Sequence, residues 1–315
     1  MESNFTGILQ AASVVTNSWK ESLRFYEQGL GYQIIEEGIL SKAQKAIFGS
    51  QLHRYVLLGH DRASVVRLIE TSDEKAQPNR IGARPWDIGL CVMEAGAANV
   101  DHAYEHMIRH RFGVISPPQE FSVKGPEPLG YVVMKAFGLY GINGEQFFIT
   151  QITEREGGTP LWEQRKDINI FPVGNAVISM KDRSAQQFYE QTFALHPSIE
   201  LPLAQELAAQ IMGGPADMSF DMCLMGNGQY KSGMEQHIYG ERHPNYDFKA
   251  YPCDFTKTGL ASVCWAGQNL ERAAARIEEN GGKVLGTTLL PLRNQAEPSG
   301  IVYQGLAGEI IELAS

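Results

Sequence analysis

Glu235 and His237 lie two residues apart in a run that reads as a strand over 234–240. That spacing puts both side chains on one face. A carboxylate beside an imidazole is an acid/base pair able to move a proton near neutral pH. The plainer reading of His237 is a ring satisfied within a strand. Glu312 is the second focus, set among Ile310, Ile311 and Leu313. A carboxylate in so apolar a strand is a metal ligand, a general base or one member of a pair. His102, His106 and His110 recur every fourth residue on a helix expected over 99–110. The stripe looks like a metal site, but zinc needs a further ligand and a supporting shell. We read it as a solvated helix face. The polar run 240–247 offers His243 and Tyr246 as residues at the mouth of a site, or is simply a solvated loop.

The elements that must position these groups come in a repeat. Phe25-Tyr26-Glu27-Gln28 returns as Phe188-Tyr189-Glu190-Gln191, an offset of 163, and Gly141-Ile-Asn-Gly-Glu145 returns as Gly305-Leu-Ala-Gly-Glu309, an offset of 164. Two matches at nearly one offset mark an internal duplication. Each half divides again. Strand 7–16 leads to a helix from Ser18, whose S-x-x-E spacing with Glu21 predicts a capping box. Strands near 46–58 and 64–70 follow. The pattern restarts with strand 88–93, helix 99–110, a Pro/Gly-rich loop over 116–130, and strands 131–139 and 145–152. The second half gives strand 174–180, helix 182–193 and strands 220–226 and 234–240. Strand 260–265, helix 269–280 and strands 283–290, 300–304 and 309–314 close the chain. The unit is strand, helix, then two or three strands, four times over. Segment 153–172 reads as a linker between a domain at 1–152 and a domain at 173–315.

Composition narrows the function. The chain has 315 residues, 43% hydrophobic and 20% charged, with a formal net charge of -9. An acidic chain without a basic patch is a poor partner for nucleic acid. No apolar run is long enough to span a membrane, and the opening residues lack a signal-peptide pattern. The four cysteines show no C-x-x-C spacing, which suits reduced thiols. The expectation is a cytoplasmic protein that uses no nucleotide cofactor and takes a small oxygenated or aromatic molecule, with a homodimer left open.

The polar-capped helix carrying Phe188-Tyr189 and the closing strand Gly305-Leu-Ala-Gly-Glu-Ile-Ile-Glu-Leu313 resemble the vicinal oxygen chelate superfamily (glyoxalases, bleomycin-resistance proteins, extradiol dioxygenases). The resemblance spans nearly the whole chain. It implies an α+β fold of four βαβββ modules paired into two cupped mixed sheets. It also implies metal ligands on the first and last strands of each module. Carried over, those positions fall on Ala11, Arg67, Cys91 or Val92, and Phe148 in the first half, a set that cannot hold a divalent metal. In the second half they fall on Asn175, Glu235 or His237, Ser262 and Glu312. Asn175, Ser262 and Glu312 stand where extradiol dioxygenases carry two histidines and a glutamate, which argues against ring cleavage unless the ligands are non-standard.

The expected site is therefore a C-terminal cup. Glu312 and His237 would be catalytic, and would hold one divalent metal if a metal is present. Asn175, Ser262, Tyr303 and Glu235 would contact substrate. The expected chemistry is proton transfer of the isomerase or lyase type. The alternative is a metal-free binding or resistance protein.

Overall fold

The computed structural model describes residues 5–60, 64–124, 130–155, 169–203, 210–214, 217–226 and 231–315. Module one runs β1 (Phe5–Thr16), α1 (Trp19–Arg24, continuing as a π-helical turn over Phe25–Gly29), β2 (Gln33–Ile39), α2 (Lys42–Phe48), β3 (Leu52–Gly59) and β4 (Val65–Thr71). Module two runs β5 (Gly89–Ala97), α3 (Val100–Arg109), β6 (Gly113–Val114), β7 (Gln119–Lys124), β8 (Tyr131–Tyr140) and β9 (Gln146–Arg155). Module three runs β10 (Ile170–Met180), α4 (Arg183–Phe193), β11 (His196–Leu203), β12 (Phe220–Gly226) and β13 (Lys231–Ile238). Module four runs β14 (Gly259–Gly267), α5 (Leu270–Glu279), β15 (Lys283–Thr288), β16 (Ser299–Gln304) and β17 (Ile310–Ala314). The α+β architecture of four modules in two mixed sheets is as expected.

Local sequence explains most of these elements. On α5, Ala273 and Ile277 are buried, with Leu270 and Ala274 packed beside them, following the helical period. The run over 46–58 was expected to be strand, yet its start belongs to α2. Ser41 and Gln44 form a true capping box there, ahead of good helix formers. The box expected at Ser18 and Glu21 does not form. Ser18 makes no side-chain cap, and Glu21 pairs with Arg24 at 3.1 Å. Strands β2, β7 and β11 went unread in the sequence. No helix among the described residues is long and apolar enough to cross a membrane.

The sheets join modules across the halves. One sheet has the order β15-β16-β17-β14-β1-β4-β3-β2, so it unites modules one and four. The other has the order β11-β12-β13-β10-β5-β9-β8-β6, with β7 added on β8, so it unites modules two and three. The expected boundary, with one complete cup in 1–152 and another in 173–315, is corrected here. The first strand of each module leaves an open edge, and a module from the other half fills it: β1 pairs antiparallel with β14, and β10 with β5. Of the expected linker 153–172, residues 153–155 belong to β9 and 170–172 to β10, and most of the rest lies outside the described residues.

The repeat motifs hold each half together between the sheets. Tyr26 donates to Glu145 at 2.8 Å, and Tyr189 donates to Glu309. The two landmarks of each half are thus hydrogen-bonding partners of one another. A side chain on Gly141 or Gly305 would collide with that carboxylate, and Gly144 and Gly308 hold positive φ of 82° and 79° in the same turns. Burial raises the Glu145 pKa, and pushes Glu309 up to about 7.

Candidate functional site

Register fixes which residues face into each cup. In the sheet of modules one and four, Ser13 pairs with Ser262 across the seam and with Arg67 on β4, while Cys264 pairs with Glu312 on β17. Arg67 and Glu312 are both fully buried and form an ion pair. The guanidinium also donates from Nε to Ser13 at 3.0 Å and from Nη1 to the Leu290 carbonyl at 3.0 Å. Glu312 accepts four bonds: two from Arg67, one from the Ser262 hydroxyl at 2.9 Å and one from the Leu290 amide at 2.9 Å. Every lone-pair direction of that carboxylate is taken. It has no capacity left for a metal or a substrate proton.

The other cup differs in kind. Val177 pairs with Val92 across the seam and with Glu235 on β13, and Glu94 pairs with Phe148 on β9. Val92, Val177 and Phe148 pack with Trp86, Ile199, Leu201, Leu203, Met212, Met218 and Phe220 in a core separate from the main one. A polar chain runs through this apolar setting. Asn175 donates to partly exposed Glu94 at 3.0 Å, and the Glu94 and Glu235 carboxyls hydrogen-bond each other. Glu235 meets His237 Nε2 at 2.6 Å, and His237 Nδ1 lies 3.4 Å from the Tyr239 hydroxyl. Glu235 and His237 are only 4% and 2% exposed. The Phe220 ring lies 4.2 Å from the His237 ring.

Burial sets the charge state of this chain. It raises Glu235 to about 7. Burial, reinforced by the charge of Glu235, raises Glu94 to about 8. Burial also lowers His237 to about 4, so its ring is neutral. Neutral His237 with its proton on Nε2 can donate to Glu235 while Nδ1 accepts from Tyr239, a tautomer assigned from the hydrogen bonding. Two adjacent carboxyls titrate as a unit and keep a proton between them near neutrality. The nearby Cys91 thiol contacts Ser179 at 3.3 Å, and burial raises its pKa, so it is a packed hydrophobe rather than a nucleophile.

The structure separates residues the sequence had grouped. Glu312 and Ser262 belong to the first cup, while His237, Glu235 and Asn175 belong to the second. Glu312 and His237 therefore cannot share a metal or a substrate, which corrects both the catalytic pair and the proposed ligand pair. Each sheet takes one module from each half, so neighbours by repeat number are not neighbours in a cup. Tyr303 is corrected as well. It faces the helices, with Phe193 at 5.5 Å and Phe188 at 6.2 Å, whereas Glu312 pairs with Val302. The inward first-strand positions are Ser13 and Val177, two residues beyond Ala11 and Asn175. Of the stripe expected to be a solvated face, His102 and His110 are exposed, while His106 is half-buried and its ring meets the Gln28 carbonyl. His243 is bonded to Ser219, and Tyr246 packs against Trp86 and takes a hydrogen bond from Arg84 at 2.6 Å. Glu94 went unrecognised because the strand was expected to stop at 93. Tyr239 was legible as the next member of the alternation Glu235, His237.

Neither donor set suits a resident divalent metal. The first cup offers two serines, a guanidinium and a saturated carboxylate. The second has Val92, Phe148 and Val177 at three of the matching positions, and its carboxyls Glu94 and Glu235 and the His237 ring are already hydrogen-bonded to one another. Among the described residues no group of three His, Cys, Asp or Glu side chains could hold a metal ion.

No family model and no curated relative matches the sequence. Solved structures do resemble the chain. Glyoxalase I from Zea mays covers 98% of it with 92% of its own length, at a TM-score of 0.62 and 13% identity. The chain has the glyoxalase fold. A mutant of the same maize enzyme gives a TM-score of 0.63 at 14% identity over the same shares. A candidate dioxygenase from Bacillus subtilis gives 0.55 at 12%, covering 99% of this chain and 86% of its own. Likeness at this identity speaks to fold and leaves chemistry to the site.

Proposed function

We propose that the cup of modules two and three is the site of a small-molecule enzyme that moves a proton, of the isomerase or lyase type. The observation that carries this is the buried Glu235–His237 contact of 2.6 Å, joined to Glu94 inside an otherwise apolar cup. Glu235 with a pKa of about 7 is poised to take and return a proton at neutral pH. His237 holds it in place and shares its proton. Glu94, partly exposed, links the pair to solvent for proton exchange. The aromatic and methionine lining favours a flat, partly apolar, uncharged ligand with one oxygen function. No step requires a metal or a nucleotide.

The alternative, metal-free binding without turnover, draws on the near-complete covering of Glu235 and His237. Proton NMR in D2O distinguishes the two, using a panel of small aryl and alkyl hydroxyketones. The enzyme should wash out the α-proton of at least one of them, and Glu235→Gln should slow that exchange by ~10²-fold or more. If panel members bind but none exchanges above the buffer rate, the catalytic reading fails and binding takes its place.

A further inference from the structure

In the first cup three inward groups, Ser13, Ser262 and Glu312, enclose an arginine from the fourth inward position. Arg67, fully buried, lies between Ser13, Ser262 and Glu312, and its charge cannot be shed. Above it lies the connection between β15 and β16. Its Leu290 carbonyl accepts from Arg67 at 3.0 Å and its amide donates to Glu312 at 2.9 Å. Gln44 of α2 pins the same connection by donating to the Leu289 carbonyl at 2.9 Å and the Ala296 carbonyl at 2.8 Å. Leu289 and Leu290 are fully buried.

We infer that the first cup is a cation site whose occupants are supplied by the chain itself: the Arg67 guanidinium as the cation, and the Leu290–Pro291 strap as the molecule lying over it. Three features carry this. The guanidinium makes hydrogen bonds to both sheet halves and to the strap. Glu312 has all four acceptor directions filled by groups of this one chain. The arrangement also joins module one to module four, close to the two ends of the described chain. An empty cup would leave Glu312 buried and uncompensated, which folds do not tolerate well.

Arg67 should then be replaceable by a free guanidinium cation. Thermal unfolding of the full chain tests it, with methylguanidinium as the probe. Arg67→Ala should lose roughly 5–8 °C in Tm. Methylguanidinium at ~10 mM should restore a large part of that loss, against sodium chloride at equal ionic strength. It should leave the wild type and an Arg67→Ala/Glu312→Leu double variant unmoved. An Arg67→Ala protein as stable as wild type overturns the inference, as does an equal response of wild type and variant to the probe. Should Arg67→Ala fail to fold, the apolar pair Arg67→Met/Glu312→Leu decides. It should fold with a Tm within a few degrees of wild type, and a loss as deep as that of Arg67→Met alone overturns the reading.

Discussion

Replacing Glu235 by Gln should stabilise the fold at alkaline pH while it removes the proposed chemistry. Glu235 is 4% exposed, and burial lifts its pKa from 4.5 to about 7. A carboxyl that binds its proton more tightly in the folded state favours folding below pH 4.5. That contribution is lost as pH rises through about 7. That rise is worth about 3 kcal/mol once the group is ionised. The amide keeps the shape, accepts from His237 Nε2 and donates to Glu94, so packing and hydrogen bonding persist. At about 2 cal/mol/K of unfolding entropy per residue, 3 kcal/mol on this 315-residue chain is a Tm gain of about 5 °C. The assay is differential scanning calorimetry of wild type and Glu235→Gln at pH 5 and pH 8.5. The gain should appear at pH 8.5 and shrink toward zero at pH 5. No gain at pH 8.5, or the same gain at both, would refute a buried carboxyl held at a cost for function.

Two further outcomes follow from the same geometry. Protein purified without chelator should carry no stoichiometric metal by elemental analysis, because Glu312 is saturated by Arg67, Ser262 and Leu290; a full equivalent that disappears in Glu312→Ala would contradict this. Tyr189→Phe removes a donor from buried Glu309, whose pKa of about 7 makes it substantially ionised at pH 8, so urea unfolding should show a loss of about 1.5–3 kcal/mol there and a smaller loss at pH 5.

Much of the architecture was written into local pattern. The alternation that set Glu235, His237 and Tyr239 on one face needs only the period of a strand. Helix α5 follows the period of its own apolar face. The repeated Phe-Tyr and Gly-x-x-Gly-Glu motifs marked the duplication because Tyr26 must meet Glu145, and Tyr189 must meet Glu309, in the same way twice. The helix at α2 was missed because a short apolar stretch fits either period, and its Ser41–Gln44 cap decided the matter.

Pairing between modules was not local and could not be read from the residues. Whether β1 seeks β5 or β14 depends on which edges close together in space. That choice moved Glu312 away from His237 and toward Arg67, turning the strongest single candidate into half of a buried ion pair. It also brought Glu94 from module two against Glu235 from module three, across a seam between segments more than a hundred residues apart. Four modules, their duplication and the carboxyl and imidazole on β13 were legible in local pattern. Which cup is filled by its own arginine, and which holds a proton between two carboxyls, was settled by folding, because charge and pKa depend on neighbours that the fold alone brings into contact.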